Sequence, residues 1–158
     1  MSSTLQIVST EGDFSLGNHD LALDGIGRAV VLTGQAKLVQ DVQKILFTEF
    51  NPFWDQYSTQ FDDLIGVNLP INDIMNTLGQ RVTDSMVYLQ FLQQDQRVYQ
   101  SCSADELIAS IAGINVSYAG ANSSADQDLF TFNIAINLVT AANTTVTVSQ
   151  SYSLAGSS

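Results

Sequence analysis

Four carboxylates, Glu49, Asp55, Asp62 and Asp63, lie among the aromatic residues Phe50, Phe53, Trp54 and Phe61. A carboxyl group held against an aromatic wall is favoured in its neutral form and can act as a general acid on a glycosidic bond. Glu49 with Asp55 or Asp62 would then be the carboxylate pair of a glycoside hydrolase. Their spacing does not select that chemistry, because the fold and not the local sequence sets the separation of glycosidase carboxylates. Acids at such positions ordinarily complement helix N-termini or face solvent. His19 is the only histidine and stands in a polar stretch between Asn18 and Asp20, a setting that suits a solvated loop better than a catalytic base. A multi-histidine metal site is excluded. Gly25-Ile26-Gly27 lacks the third glycine of a phosphate-cradling loop and precedes a strand instead of opening a helix. Asn122, Asp126 and Asp128 lack the closing bidentate acid of a Ca²⁺ loop, so turn chemistry accounts for them. Cys102 stands alone, which permits neither an internal disulfide nor a zinc site and fits a reducing cytoplasm. The expectation is a protein with no catalytic residues, no cofactor and no metal.

The elements that would position these groups fit within one domain of 158 residues. A net charge of −11 with only five cations, Arg28, Lys37, Lys44, Arg81 and Arg97, argues against nucleic acid as a partner. Every charge between Lys44 and Arg81, and every charge after Arg97, is acidic, so a basic partner would be attracted to much of the surface. The sequence has no signal-peptide pattern at its start and no apolar run of membrane-spanning length, so no membrane partner is expected.

Residues 1–18 are polar and predict an N-terminal arm, with a single domain over residues 19–158. Residues 20–25 predict a short strand running into an Asp-Gly turn, and residues 29–32 its hairpin partner. Thr33 is placed to cap a helix whose apolar face is Leu38, Val39, Val42, Ile45 and Leu46, with Lys37, Gln40, Asp41, Gln43 and Lys44 on the polar side. A packed aromatic loop follows, then a short helical turn with Phe61, Leu64 and Ile65 that ends at Gly66. Pro70 opens a long helix reaching about Tyr99, with Ile71, Ile74, Met75, Leu78, Val82, Met86, Leu89 and Val98 on its apolar side and Gly79 as a point of division. Ser103-Ala104-Asp105-Glu106 has the form of a capping box and predicts a brief helix ending near Gly113. A strand over residues 114–118 and a turn over residues 120–126 lead into the last segment.

From Leu129 to the end the chain carries no charge and no proline. Phe130, Phe132, Ile134, Ile136 and Leu138 alternate with polar residues such as Asn133 and Asn137, and Val146, Val148, Tyr152 and Leu154 continue that parity after a turn at residues 141–144. Sheet edges are usually protected by Lys, Pro or inward charge. With that protection missing, strand addition to or from a partner is the expected mechanism. The fold class is α+β: an N-terminal hairpin, central helices, and a C-terminal antiparallel sheet ending in a long β-hairpin.

The run Asp20-Leu21-Ala22-Leu23-Asp24-Gly25, the strand Val30-Val31-Leu32-Thr33-Gly34, and the helix Lys37-Leu38-Val39-Gln40-Asp41-Val42-Gln43-Lys44-Ile45-Leu46-Phe47-Thr48 together resemble the baseplate wedge and sheath-initiator proteins of contractile phage tails. The loop with Pro52 and Tyr57, the segment Phe61-Asp62-Asp63-Leu64-Ile65-Gly66, and two final strands about an Ala-Asn turn extend the resemblance over most of the chain. That family has counterparts in type VI secretion baseplates and has carried lysozyme-like labels. The chain departs from it in two places. No arginine completes the Glu-Pro-Arg signature begun by Glu49 and Pro52, and Gln56-Tyr57-Ser58 stands where a glycine is expected.

The resemblance implies a structural virion protein of the tail baseplate, assembled in the host cytoplasm in several copies, about six, around the tail axis. Its implied partners are the tail sheath protein, other wedge proteins, and tail tube or hub proteins. Sheath would be bound through Phe130, Phe132, Asn133, Ile134, Ile136, Asn137, Val146, Val148 and Tyr152. Baseplate partners would be bound through Glu49, Pro52, Phe53, Trp54 and Tyr57. A tail-completion or connector component is the alternative within the same setting, and a peptidoglycan hydrolase using that carboxylate pair is the alternative outside it.

Overall fold

The computed structural model describes residues 13–14, 16–17, 20–21, 26–48, 59, 61–64, 68–124 and 127–155. The chain is α+β, with two helices lying on one face of a three-stranded antiparallel sheet. Helix α1 spans Gly34–Phe47 and helix α2 spans Ile71–Tyr99, while β5 (Ile108–Ser124), β6 (Gln127–Thr140) and β7 (Thr145–Ala155) form the sheet in the order β5-β6-β7. Strands β1 (Asp13–Phe14), β2 (Leu16–Gly17), β3 (Asp20–Leu21) and β4 (Val31–Leu32) precede α1, and a 3₁₀ turn covers Phe61–Leu64.

The period-two alternation of β6 sends Phe132, Ile134, Ile136 and Leu138 to the helical side, where all four are buried. Val146, Val148 and Leu154 of β7 join them from the parity set by the β6–β7 register, in which Leu138 faces Val146 and Ile136 faces Val148. The helices close this core with Leu38, Val42 and Ile45 from α1 and with Ile74, Leu78, Val82, Met86 and Leu89 from α2. Those positions follow the three- and four-residue spacing of one helical stripe. Helix α1 starts beside the β6–β7 turn and runs along β7. The C-terminal half of α2 lies over the start of β5, so the two helices are antiparallel. Thr59 returns the chain to the end of α1 by donating its hydroxyl to the Leu46 carbonyl at 3.0 Å, and Phe61 then meets the Tyr152 ring edge-on at 4.7 Å.

Several sequence expectations are corrected. Half of the capping box of residues 103–106 forms: Glu106 Oε1 accepts from the Ser103 N–H and Oγ at 3.2 and 2.9 Å, but the Glu106 N–H donates to the Ser103 carbonyl and not to its hydroxyl, and the bonds close a turn and not a helix. Strand β5 begins two residues later, because the β-branched Ile108, Ile111, Ile114 and Val116 pair with β6 along their whole length. The turn expected over residues 120–126 is displaced for the same reason, since β5 continues to Ser124. Residues 20–21 and 31–32 do not pair with each other. Leu21 pairs with Leu16 and Leu32 with Asp13, so residues 13–14 and 16–17, within the segment expected to be an arm, supply one strand of each pair.

Helix α2 runs through Gly79 without interruption. Thr33 is the N-cap residue of α1 but makes no side-chain cap bond; the Gly34 N–H is directed instead at Glu106 Oε1, 3.4 Å away. Lys37 and Gln40, expected on the polar side of α1, are buried. Lys37 is admitted because Asp41 accepts from its ammonium at 2.8 Å and Glu106 lies 3.9 Å away, so the buried charge is compensated. Val98, expected on the apolar side of α2, is 74% exposed. Gln93 takes the last inward position of the helix, and Val98 falls on the outer line.

Candidate functional site

The residues expected to meet a partner divide into three groups. Phe132, Ile134, Ile136, Val146 and Val148 are core, buried between the sheet and the helices, while Phe130 and Tyr152 are half-buried at its margin. Their side chains set the fold and the register of the sheet. Asn133 and Asn137 are on the opposite face, which no helix covers among the described residues. Glu49, Pro52, Phe53, Trp54 and Tyr57 lie outside the described residues, as do Asp55 of the candidate acid pair, His19 and Asp126.

The open sheet face is built by the second parity of the same strands. Asn115 and Ser117 of β5, Thr131, Asn133, Ala135 and Asn137 of β6, and Thr145, Thr147, Ser149, Ser151 and Ser153 of β7 point to it, and none carries a charge. Cross-strand hydrogen bonds order it. Thr147 donates to Asn137 Oδ1 at 2.7 Å, Ser151 donates to Asn133 Oδ1 at 2.8 Å, and the hydroxyls of Thr131 and Ser153 are 3.0 Å apart. A shallow depression of about 200 Å³ above Ala135 is lined by Asn115, Ser117, Asn133, Ser149 and Ser151. Hydroxyls and amides there can exchange hydrogen bonds with a neutral partner, but no acid, base or activated nucleophile stands among them.

The edges of the sheet differ more than its faces. Strand β6, which carries the strongest alternation in the chain, is the middle strand and has both edges paired, so it cannot accept another strand. The missing edge protection noted in its sequence is explained by that position, since a central strand needs none. Strand β5 is an irregular edge, with register shifts at Ile108/Ser110, Ile111/Gly113 and Tyr118/Gly120. Its start is also occupied by α2: Gln90 Nε2 donates to the Ile108 and Ala109 carbonyls at 3.0 and 3.1 Å, and Gln93 Oε1 accepts from the Ile108 N–H at 2.8 Å. Strand β7 pairs with β6 residue for residue from Leu129↔Ala155 to Val139↔Thr145, without a shift. No strand pairs with its other side among the described residues. It is the regular edge of the sheet, and it holds neither charge nor proline.

Residues of both strands of the uncharged hairpin are expected to bind sheath, and of those two strands only β7 lies at an edge of the sheet. Among the described residues no group of His, Cys, Asp and Glu is arranged to hold a metal, and no helix is long and apolar enough to cross a membrane. Asp63 is exposed and lies 3.8 Å from the Arg81 guanidinium. Comparison of the chain with protein-family models, curated proteins and solved structures finds no match.

Proposed function

We propose that this protein is a structural baseplate component of a contractile phage tail, which nucleates the sheath by pairing a strand of the first sheath ring with β7. It acts in the virion, in several copies around the tail axis, among wedge, tube and sheath proteins, and it performs no catalysis and takes no cofactor. The observation that carries this reading is the β7 edge: eleven residues in unbroken register with β6, uncharged and without proline. Main-chain hydrogen bonds to such an edge supply continuity, and side chains alternating between the two faces set the register of the incoming strand. The resemblance of residues 20–66 to wedge and sheath-initiator proteins supplies the setting.

Truncation before β7 would remove Val146, Val148 and Leu154 from the core, so the test uses exposed positions. Lysine on an edge strand is the natural block to strand addition. Particles assembled with the Ser149→Lys, Ser151→Lys double variant should show baseplates bearing naked tubes in electron micrographs, with the variant chain detected in those baseplates. Fully sheathed tails on such baseplates would remove the sheath role. Tails that lack tubes as well would favour a tail-completion role over sheath nucleation.

A further inference from the structure

The outer side of α2 changes character along its length. Gln80 and Asp84 occupy the exposed line in the first half, whereas Val87, Phe91 and Val98 occupy it in the second, at 53%, 62% and 74% exposure. Gln94 completes a four-three-four spacing, which is that of a helix–helix seam. The inward side of the same turns is already buried on the sheet through Met86, Leu89 and Gln93, so this stripe is additional to the core. The Phe91 ring is held by Tyr88, stacked at 6.4 Å and 22°. An aromatic with its rotamer restrained loses less entropy on contact.

Charge decides what covers it. A chain of net charge −11 repels copies of itself over most of its surface, but from Val87 to Tyr99 the only charged residues are Asp95 and Arg97, which cancel. We propose that this half of α2 pairs antiparallel with the same segment of a second copy about a two-fold axis. In that arrangement Val87 meets the partner's Val98, and Phe91 meets the partner's Gln94. Arg97 is then flanked by the partner's Gln90, and Asp95 by the partner's Tyr88, so no like charges are apposed. Asp84 and Asp73 fall outside the overlap, whereas a parallel pair would set each against its own copy. The helix dipoles also oppose. The contact is isologous and closed, so it gives a dimer and not a fibre. It is independent of the β7 edge and of any role in a tail.

Sedimentation velocity of the full chain under reducing conditions, from about 1 µM to about 1 mM, is the test. The wild type should shift from monomer to dimer over that range. Phe91→Lys and Gln94→Glu should each weaken the dimer at least about tenfold, and the double variant should recover it, because antiparallel pairing places the new ammonium of one copy against the new carboxylate of the other. Both positions are exposed, so far-ultraviolet circular dichroism should be unchanged. A wild type that stays monomeric throughout, or that binds only a different protein at this face, overturns the proposal. So does a dimer that survives Phe91→Lys. Failure of the double variant to recover would overturn the antiparallel register.

Discussion

The ammonium of Lys37 and the carboxylate of Glu106 lie 3.9 Å apart with each side chain only 4% exposed, one on α1 and the other in the turn that opens β5. Glu106 also receives the Ser103 hydroxyl, the Ser103 N–H and the Gly34 N–H. It thus stands in for the missing side-chain cap of α1 and binds the turn to the helix. Glu106→Ala should destabilise the fold by about 3 kcal/mol, as expected when one partner of a buried pair is removed and donors are left unmatched. Urea unfolding followed by circular dichroism would measure this, and a loss below about 1 kcal/mol would mean that Asp41 alone satisfies Lys37.

Gln93 makes a second junction of this kind. Its amide accepts from the Ile108 N–H and donates to the Glu106 carbonyl, both at 2.8 Å, in a buried site. Gln93→Leu keeps the volume but orphans both backbone groups, at a cost of about 2 kcal/mol. Amide exchange at Ile108 should accelerate beyond what the global loss of stability explains.

These two junctions are what the sequence could not disclose. The apolar periodicities of α1, α2 and β6 are local, and they were legible because a stripe of Leu, Val, Ile and Met has one helical reading and an alternating run of Phe and Ile has one strand reading. Residues 103–113 misled because Ser103 and Glu106 carry the local signature of a helix start while the decision is made by Gln93, from another element, holding the Ile108 N–H. Lys37 misled for a similar reason, since Glu106, distant in sequence, lies 3.9 Å from its ammonium and joins Asp41 in compensating the buried charge. The edge character of β7 was invisible because strand order is a property of the sheet. Parity separates the inward Phe and Ile of β6 from its outward Asn residues, and so removes the buried ones from any partner contact, but parity does not say which strand is free.

Gly79 sits mid-helix in α2, where a Cβ would meet Val116 Cγ2 at 3.8 Å, an ordinary contact. Gly79→Ala should therefore stabilise the protein by about 0.5–1 kcal/mol, because alanine loses less backbone entropy on folding. The thermal midpoint should rise by a few degrees, about 2–4 °C. A fall would show that the helix and β5 approach too closely to admit the methyl.

Asn143 closes the β6–β7 turn with φ of 61°, and its N–H donates to the Thr140 carbonyl at 2.9 Å. Few residues other than glycine and asparagine accept that conformation without cost. Asn143→Ala should lose about 1 kcal/mol and Asn143→Gly almost nothing. Equal losses in denaturant midpoint for both variants would mean that the Asn side chain, and not its backbone conformation, holds the turn.

Phe132 and Asn133 are adjacent in sequence and opposite in consequence. Phe132 is fully buried, and Phe132→Ala should cost about 3–5 kcal/mol through lost burial and the cavity left behind. Asn133 is exposed and accepts from Ser151 at 2.8 Å across the open face, so Asn133→Lys should change stability by no more than about 0.5 kcal/mol. The contrast separates folding from partner binding on one strand. Asn137→Lys, which loses only the bond from Thr147, belongs to the same class. If the Asn133→Lys, Asn137→Lys double variant unfolds at the wild-type denaturant midpoint and still supports full sheath, the open face makes no sheath contact. If it folds normally but yields naked tubes, the sheath strand is held by the face as well as by the edge.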